Sequence, residues 1–120
     1  MKNIFGEKLR KLREARGISQ MELSRRLGYA SNSYLSDVEK GLFVPNEEKL
    51  RRMASSLGVG FDVLQEMALE SRLDALGFRE PGFVSMLKDY PRMSREDRRE
   101  IVRAYVKVKR IRKYGHAGDS

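Results

Sequence analysis

Apolar residues recur along this chain at intervals of three and four, the spacing of helices that bury one face. Phe5, Leu9 and Leu12 stand at i, i+4 and i+7, which predicts a first helix capped by Asn3 and stopped at Gly17. Ser19 is an N-cap residue with Glu22 three places on, a capping-box pattern. Leu23 and Leu27 then share a face before Gly28 ends that second helix. Ser31 is the next cap, opening a third helix to about Lys40 that Gly41 closes. Leu35 and Val38 point inward there, leaving Asn32, Ser33, Ser36 and Asp37 to face out.

Pro45 biases Val44 toward extended geometry, and Asn46 caps a fourth helix whose buried stripe is Leu50, Met53, Ala54 and Leu57. Phe61, Val63 and Leu64 open a fifth, ending between Glu70 and Leu76. Gly77, Pro81 and Gly82 mark a break, and Phe83, Val84, Met86 and Leu87 suggest a short helix stopping before Tyr90–Pro91. Ser94 and Asp97 repeat the capping pattern and open a long helix through about Lys113. Ile101, Ala104, Tyr105, Val108 and Ile111 form one apolar face on it. An isolated helix cannot bury such a face by itself, so this one packs on its own domain or on a second copy. The residues after Tyr114, two Gly and the single His among them, read as a disordered tail over 114–120.

The second and third helices set the functional reading. Outward small polar residues at Asn32, Ser33, Ser36 and Asp37 offer donors and acceptors the width of a base edge, without bulk to block a groove. Asn32 suits a bidentate contact to adenine; Asp37 accepts from cytosine N4 or excludes wrong bases, since its charge repels phosphate. The stretch Ser19–Gly41, SQMELSRRLGYASNSYLSDVEKG, resembles the helix-turn-helix of the phage-repressor family, the Cro/CI-like or XRE-type transcriptional regulators. The resemblance extends from about Phe5 to Leu64. It rests on Gly17, Ser19–Gln20, Leu23, Leu27–Gly28, Leu35–Ser36, Glu39, Gly41 and Pro45–Asn46. One departure stands out: Tyr29–Ala30–Ser31 replaces a two-residue linker, which leaves the register of the third helix open by about one position.

That resemblance implies an all-α, five-helix lambda-repressor-like DNA-binding domain at about 1–70. A helical extension at 71–113 would follow it and serve dimerisation. It implies a brace between Arg13 and Glu39, in which losing one partner costs ~3 kcal/mol or more if the pair is partly buried. Gln20, at the first turn of the second helix, is suited to gripping a phosphate oxygen together with the helix N-terminal N–H groups. Lys40 and Lys49 fall where the family touches the sugar-phosphate backbone. Arg25 and Arg26 are further phosphate candidates, with a plain solvated face as the alternative reading.

Charge agrees with a polyanionic partner. The formal net charge is +8 and the pI about 10.0. Residues 1–60 carry 12 Lys/Arg against 7 Asp/Glu and residues 61–120 carry 13 against 10, so both halves are basic. Other chemistries find little to stand on. There is no Cys, hence no disulfide framework, Cys-ligated zinc or thiol nucleophile. His116 lies in the tail; no GxSxG elbow, P-loop or dinucleotide fingerprint occurs, and the carboxylates lack metal-ligand spacing. Neither an enzyme, a cofactor nor a metal site is expected. No apolar run approaches the roughly 18 residues of a membrane span, and MKNIFGEKL is no signal peptide, so the expected location is the cytoplasm.

The expectation is a dimeric repressor that reads double-stranded DNA through the helix at about 31–40. Ile101, Tyr105 and Val108 would hold two copies together, so the expected partners are DNA and a homodimer mate. The rival is an antitoxin-like module whose C-terminal helices hold another protein, such as a toxin, an antirepressor or a polymerase subunit.

Overall fold

A computed structural model describes residues 2–112, and among these every regular element is helical. The helices are α1 (Phe5–Ala15), α2 (Gln20–Arg26), α3 (Ser33–Glu39), α4 (Glu47–Leu57), α5 (Phe61–Ala75), α6 (Pro81–Asp89) and α7 (Arg95–Arg112). A 3₁₀ turn, Tyr90–Arg92, precedes α7. The fold is all-α. The chain divides into two compact units, Met1–Val84 and Ser85–Ser120, and the boundary expected at 70/71 falls inside α5. The tail expected at 114–120, with His116, lies outside the described residues, as does Lys113.

Local chemistry accounts for most helix ends. Ser19 Oγ accepts from the Glu22 amide at 3.0 Å and Asn46 Oδ1 from the Lys49 amide at 2.9 Å, each satisfying an orphan donor of the first turn. Only half of the capping box forms at Ser19, because the Glu22 carboxylate turns instead to Arg25 and Arg26. At α1 the N-cap position falls on Ile4 rather than Asn3; Asn3, one place earlier, still accepts from the Gly6 amide through Oδ1 at 3.2 Å. Gly28 ends α2 with φ +87°, a left-handed residue that lets the Tyr29 amide return to the Ser24 carbonyl at 2.9 Å.

The first unit closes over one core. Phe5 and Leu9 from α1, Leu23 and Leu27 from the α2 region, and Leu35 and Val38 from α3 are buried together with Leu50, Met53, Ala54 and Leu57 of α4. From α5, Leu64 and Ala68 complete it. Val63, apolar like its neighbours, does not join them and is 38% exposed. The buried face of α5 instead runs Leu64, Ala68, Ser71 at i, i+4, i+7, which turns Val63 outward. Phe61 is half-buried beneath the Arg51 guanidinium, 4.1 Å from the ring centroid.

In the second unit, the Asp97 amide donates to Ser94 Oγ at 3.1 Å, capping α7. Arg98 lies 5.1 Å over the Tyr90 ring and donates to the Tyr90 and Pro91 carbonyls at 2.9 and 2.7 Å. That clamp fixes the start of α7 on the turn before it, where Ile101 is half-buried. The rest of the helix stays open, with Tyr105 59%, Val108 46% and Ile111 68% exposed.

Candidate nucleic-acid interface

Helix α3 is shorter at its start than the sequence suggests: it begins at Ser33, not Ser31. The extra linker residue is absorbed by a bend over Ala30–Asn32, in which Ser31 Oγ donates to Ser33 Oγ at 3.2 Å and accepts from the Ser33 amide at 3.4 Å. Ser31 thus reaches the first amide of α3 without occupying the cap position. Asn32 occupies the cap position, yet its side chain makes no cap bond. Its Nδ2 donates instead to Gln20 Oε1 at 3.0 Å, and Gln20 Nε2 in turn donates to Glu39 Oε1 at 3.1 Å.

Glu39 is the anchor of this chain of bonds. Arg13 Nε donates to Glu39 Oε2 at 2.7 Å and Arg13 Nη2 to Oε1 at 3.0 Å, a two-bonded guanidinium–carboxylate pair. Arg13 Nη1 also donates to the Ile18 carbonyl at 2.8 Å. Both side chains are nearly out of solvent, at 10% and 4% exposure. The hydrogen bond to Glu39 raises the Arg13 pKa further above its ordinary value, against the opposing effect of burial. A carboxylate can only accept, so Gln20 must turn its NH₂ toward Glu39 and its carbonyl toward Asn32. Asn32 must then offer its NH₂ to Gln20, which leaves Asn32 Oδ1 and one amide hydrogen unused.

Ser33 is exposed, while Asn32, Ser36 and Asp37 are half-buried along the same side of α3. Lys40 follows at the exposed C-cap. Arg25 pairs with Glu22 at 2.9 Å on the surface. Arg26 does more: besides Glu22, it donates to the Ser56 carbonyl at 2.8 Å and so ties α2 to the end of α4. Lys49 lies 4.7 Å over the Tyr34 ring, which itself sits among Tyr29 at 5.0 Å and Phe43 at 5.5 Å between centroids. Ile101, Tyr105 and Val108 belong to the other unit, on α7.

Several residues at work here carry no signal in the sequence. Arg16 donates to the Leu57 and Gly58 carbonyls at 3.0 and 3.2 Å, and Arg52 to the Leu27 carbonyl at 2.8 Å. With Arg26 they neutralise helix C-termini, where carbonyls are unpaired and the dipole is negative. Their partners lie 25 to 42 positions away, so no local spacing announces them.

Tyr34 is equally silent in the sequence, and its hydroxyl is buried without a hydrogen-bond partner. Burial pushes its pKa up to about 12 from 10.0, with the charge of Tyr29 adding to the shift. The folded chain therefore holds the neutral phenol more tightly than the unfolded chain does. Its contribution is complete below pH ~10 and is lost as pH rises from about 10 to 12. Tyr34→Phe should leave stability at pH 8 unchanged or raise it by up to ~1 kcal/mol, because a buried unpaired hydroxyl is removed. It should also flatten the decline between pH 10 and 12. Urea denaturation at pH 8 and 11 tests both, and a clear loss at pH 8 would mean that the hydroxyl has a partner.

A family model described as a helix-turn-helix domain matches residues 4–68, more than half of the chain. The chain belongs to the helix-turn-helix domain family. That class is non-enzymatic. Two uncharacterized HTH-type transcriptional regulators of Mycobacterium tuberculosis, from strains CDC 1551 / Oshkosh and H37Rv, are each 36% identical to it over 84 residues. The match covers 70% of this chain and 54% of theirs, so the chain spans about half the length of the curated relatives it matches. No solved structure matches it. The matched residues run from α1 into α5 and contain the bond chain from Arg13 to Asn32. No described helix is long and apolar enough to cross a membrane.

Proposed function

We propose that this helix-turn-helix protein is a transcriptional repressor of the Cro/CI-like, XRE type, acting in the cytoplasm. It binds duplex DNA as a two-fold dimer and reads the major groove with α3. The observation that carries this reading is the bond chain Arg13–Glu39–Gln20–Asn32, which leaves Asn32 with one acceptor and one donor at the start of α3. Those two groups are what adenine requires at N6 and N7. Because the chain begins at a charge that cannot donate, the amide is oriented before DNA arrives, and no rotamer freedom is lost on binding. Ser33, Ser36 and Asp37 supply the neighbouring base contacts. Gln20, Arg25, Lys40 and Lys49 hold phosphates, Gln20 through its remaining amide hydrogen. Arg26, already bridging α2 and α4, adds charge. Ile101, Tyr105 and Val108 join two copies, which sets half-sites about one helical turn, ~34 Å, apart.

The test is selection of bound duplexes from random sequence at near-physiological salt, followed by titration of variants. The selected site should be a palindrome containing adenine. Asn32→Ala should weaken binding to that site by about 1–3 kcal/mol and leave random duplex nearly unaffected. Gln20→Ala should weaken all duplexes and also blunt the adenine preference, because Asn32 loses its orienting partner. An even loss across sequences for Asn32→Ala would remove Asn32 from base readout. The apolar residues left open on α7 favour a second reading, a module that holds another protein. Binding to duplex without a steep salt dependence would favour that one.

A further inference from the structure

The unit that holds the helix-turn-helix carries the smaller share of this protein's net positive charge. Divided at Val84/Ser85, residues 1–84 carry 14 Lys/Arg and 12 Asp/Glu, a net of +2, while residues 85–120 carry 11 and 5, a net of +6. In the first unit most cations are already engaged. Arg13, Arg16, Arg26 and Arg52 serve Glu39 or helix-end carbonyls. Lys8, Arg10, Lys11, Arg25, Arg51 and Arg79 pair with carboxylates. Lys49 covers a tyrosine ring. Among the described residues of that unit, only the Lys2, Lys40 and Arg72 side chains have no ion pair, hydrogen bond or ring contact. Duplex DNA is held mainly through phosphate neutralisation; surface pairs such as Arg25–Glu22 yield to it, but this unit, at a net +2, has few cations in excess of its carboxylates to supply it.

Helix α7 has them. Arg99, Arg103, Lys107 and Arg110 stand at i, i+4, i+8 and i+11, within about 80° of one another around the helix axis at 100° per residue. All four are exposed. Arg103 pairs with Glu100 on the surface, an interaction of the kind that contributes little and yields to a stronger anion. Arg99, Lys107 and Arg110 have no ion pair among the described residues. The ridge is about 16 Å long, roughly the rise of five base pairs along a duplex axis. Ile101, Tyr105 and Val108 lie on the opposite side of the same helix. A second copy on that side therefore leaves the ridge uncovered.

We propose that the ridge Arg99–Arg103–Lys107–Arg110 is a second DNA-binding surface that grips the phosphate backbone without reading sequence. This rests on the reading that the protein binds duplex DNA. It divides the work between the units: α3 selects the site with small polar groups, and α7 supplies the salt-dependent attraction. The full-length chain carrying R99Q, R103Q, K107Q and R110Q together is compared with the unaltered chain and with an R99K/R103K/R110K variant. Each is titrated with its selected duplex and with random duplex across a range of salt concentrations, and its mass is followed by light scattering.

The expected result is a salt dependence of log K shallower by up to about 3–4 per copy for the glutamine variant, near 0.9 for each phosphate no longer neutralised. Its affinity for both duplexes should fall by a similar factor, so the preference for the selected site survives, and its mass should not change. The lysine variant should keep the original slope. An unchanged slope in the glutamine variant overturns the ridge while leaving DNA binding by α3 intact. A chain that binds no duplex at any salt removes the DNA reading itself, and the ridge with it. Anionic lipid vesicles provide the remaining arm: if the glutamine variant loses vesicles but keeps its DNA slope, the ridge is a lipid surface and the proposal fails.

Discussion

Replacing Gly6 with alanine should destabilise the first unit by ~3 kcal/mol or more, although alanine is the better helix former. Gly6 lies in α1, and its backbone meets the end of α3. A Cβ there would lie 2.6 Å from the Glu39 carbonyl oxygen and 2.8 Å from its carbon, and closer still to the Val38 oxygen. These are main-chain atoms, so no side chain can rotate away. Relief requires α1 and α3 to separate, which loosens the packing of Phe5, Leu9, Leu35 and Val38 and stretches the Arg13–Glu39 pair as well. On helix propensity alone, the substitution would stabilise by up to ~1 kcal/mol, so the two arguments differ in sign. A thermal midpoint lowered by about 12 °C or more is the expected reading for a unit of this size. A midpoint equal to or above that of the unaltered chain would show that the two helices are not in such close approach.

The second large effect is at the brace. Arg13→Ala leaves the Glu39 carboxylate nearly buried with only Gln20 to hold it, and Glu39→Ala strands the guanidinium. Each should cost about 3 kcal/mol or more, since removing one member of a buried pair leaves an uncompensated charge. The double variant should lose much less than the sum, with a coupling of about 1–3 kcal/mol. Glu39→Ala has a further consequence that Arg13→Ala lacks. Without the carboxylate nothing dictates which way the Gln20 amide turns, so the orientation passed on to Asn32 is lost. Under the proposed function, Glu39→Ala therefore relaxes the adenine preference even at temperatures where the unit stays folded. Additive losses in a denaturation cycle would show that the pair is not coupled.

The helical unit is legible in the sequence because its signals are short-ranged. The caps Ser19 and Asn46 bind an amide three residues on, and Gly28 adopts its left-handed geometry from its own lack of a Cβ. The α4 stripe Leu50, Met53, Ala54, Leu57 needs only the helical repeat to be read correctly. The α5 face is harder, since apolar and polar residues are less cleanly separated there, and Val63 faces outward although its residue type suggests the core.

The candidate site is legible only in part. Gln20, Asn32 and Glu39 each stand out, but as separate groups; no sequence spacing says that one amide bridges the other to the carboxylate. That link appears once α3 starts at Ser33 and swings Asn32 onto Gln20. Residue type and local spacing determined the helices and the helix-turn-helix family, and they supply the residues proposed to bear on DNA. Tertiary structure alone decided the close approach at Gly6, the arginines given to distant carbonyls and the burial of Tyr34. The first two depend on surfaces that meet across 25 to 42 residues of chain, and the third on Tyr29, Phe43 and Lys49 closing from different elements, a matter of packing that a window of one or two helical turns does not contain.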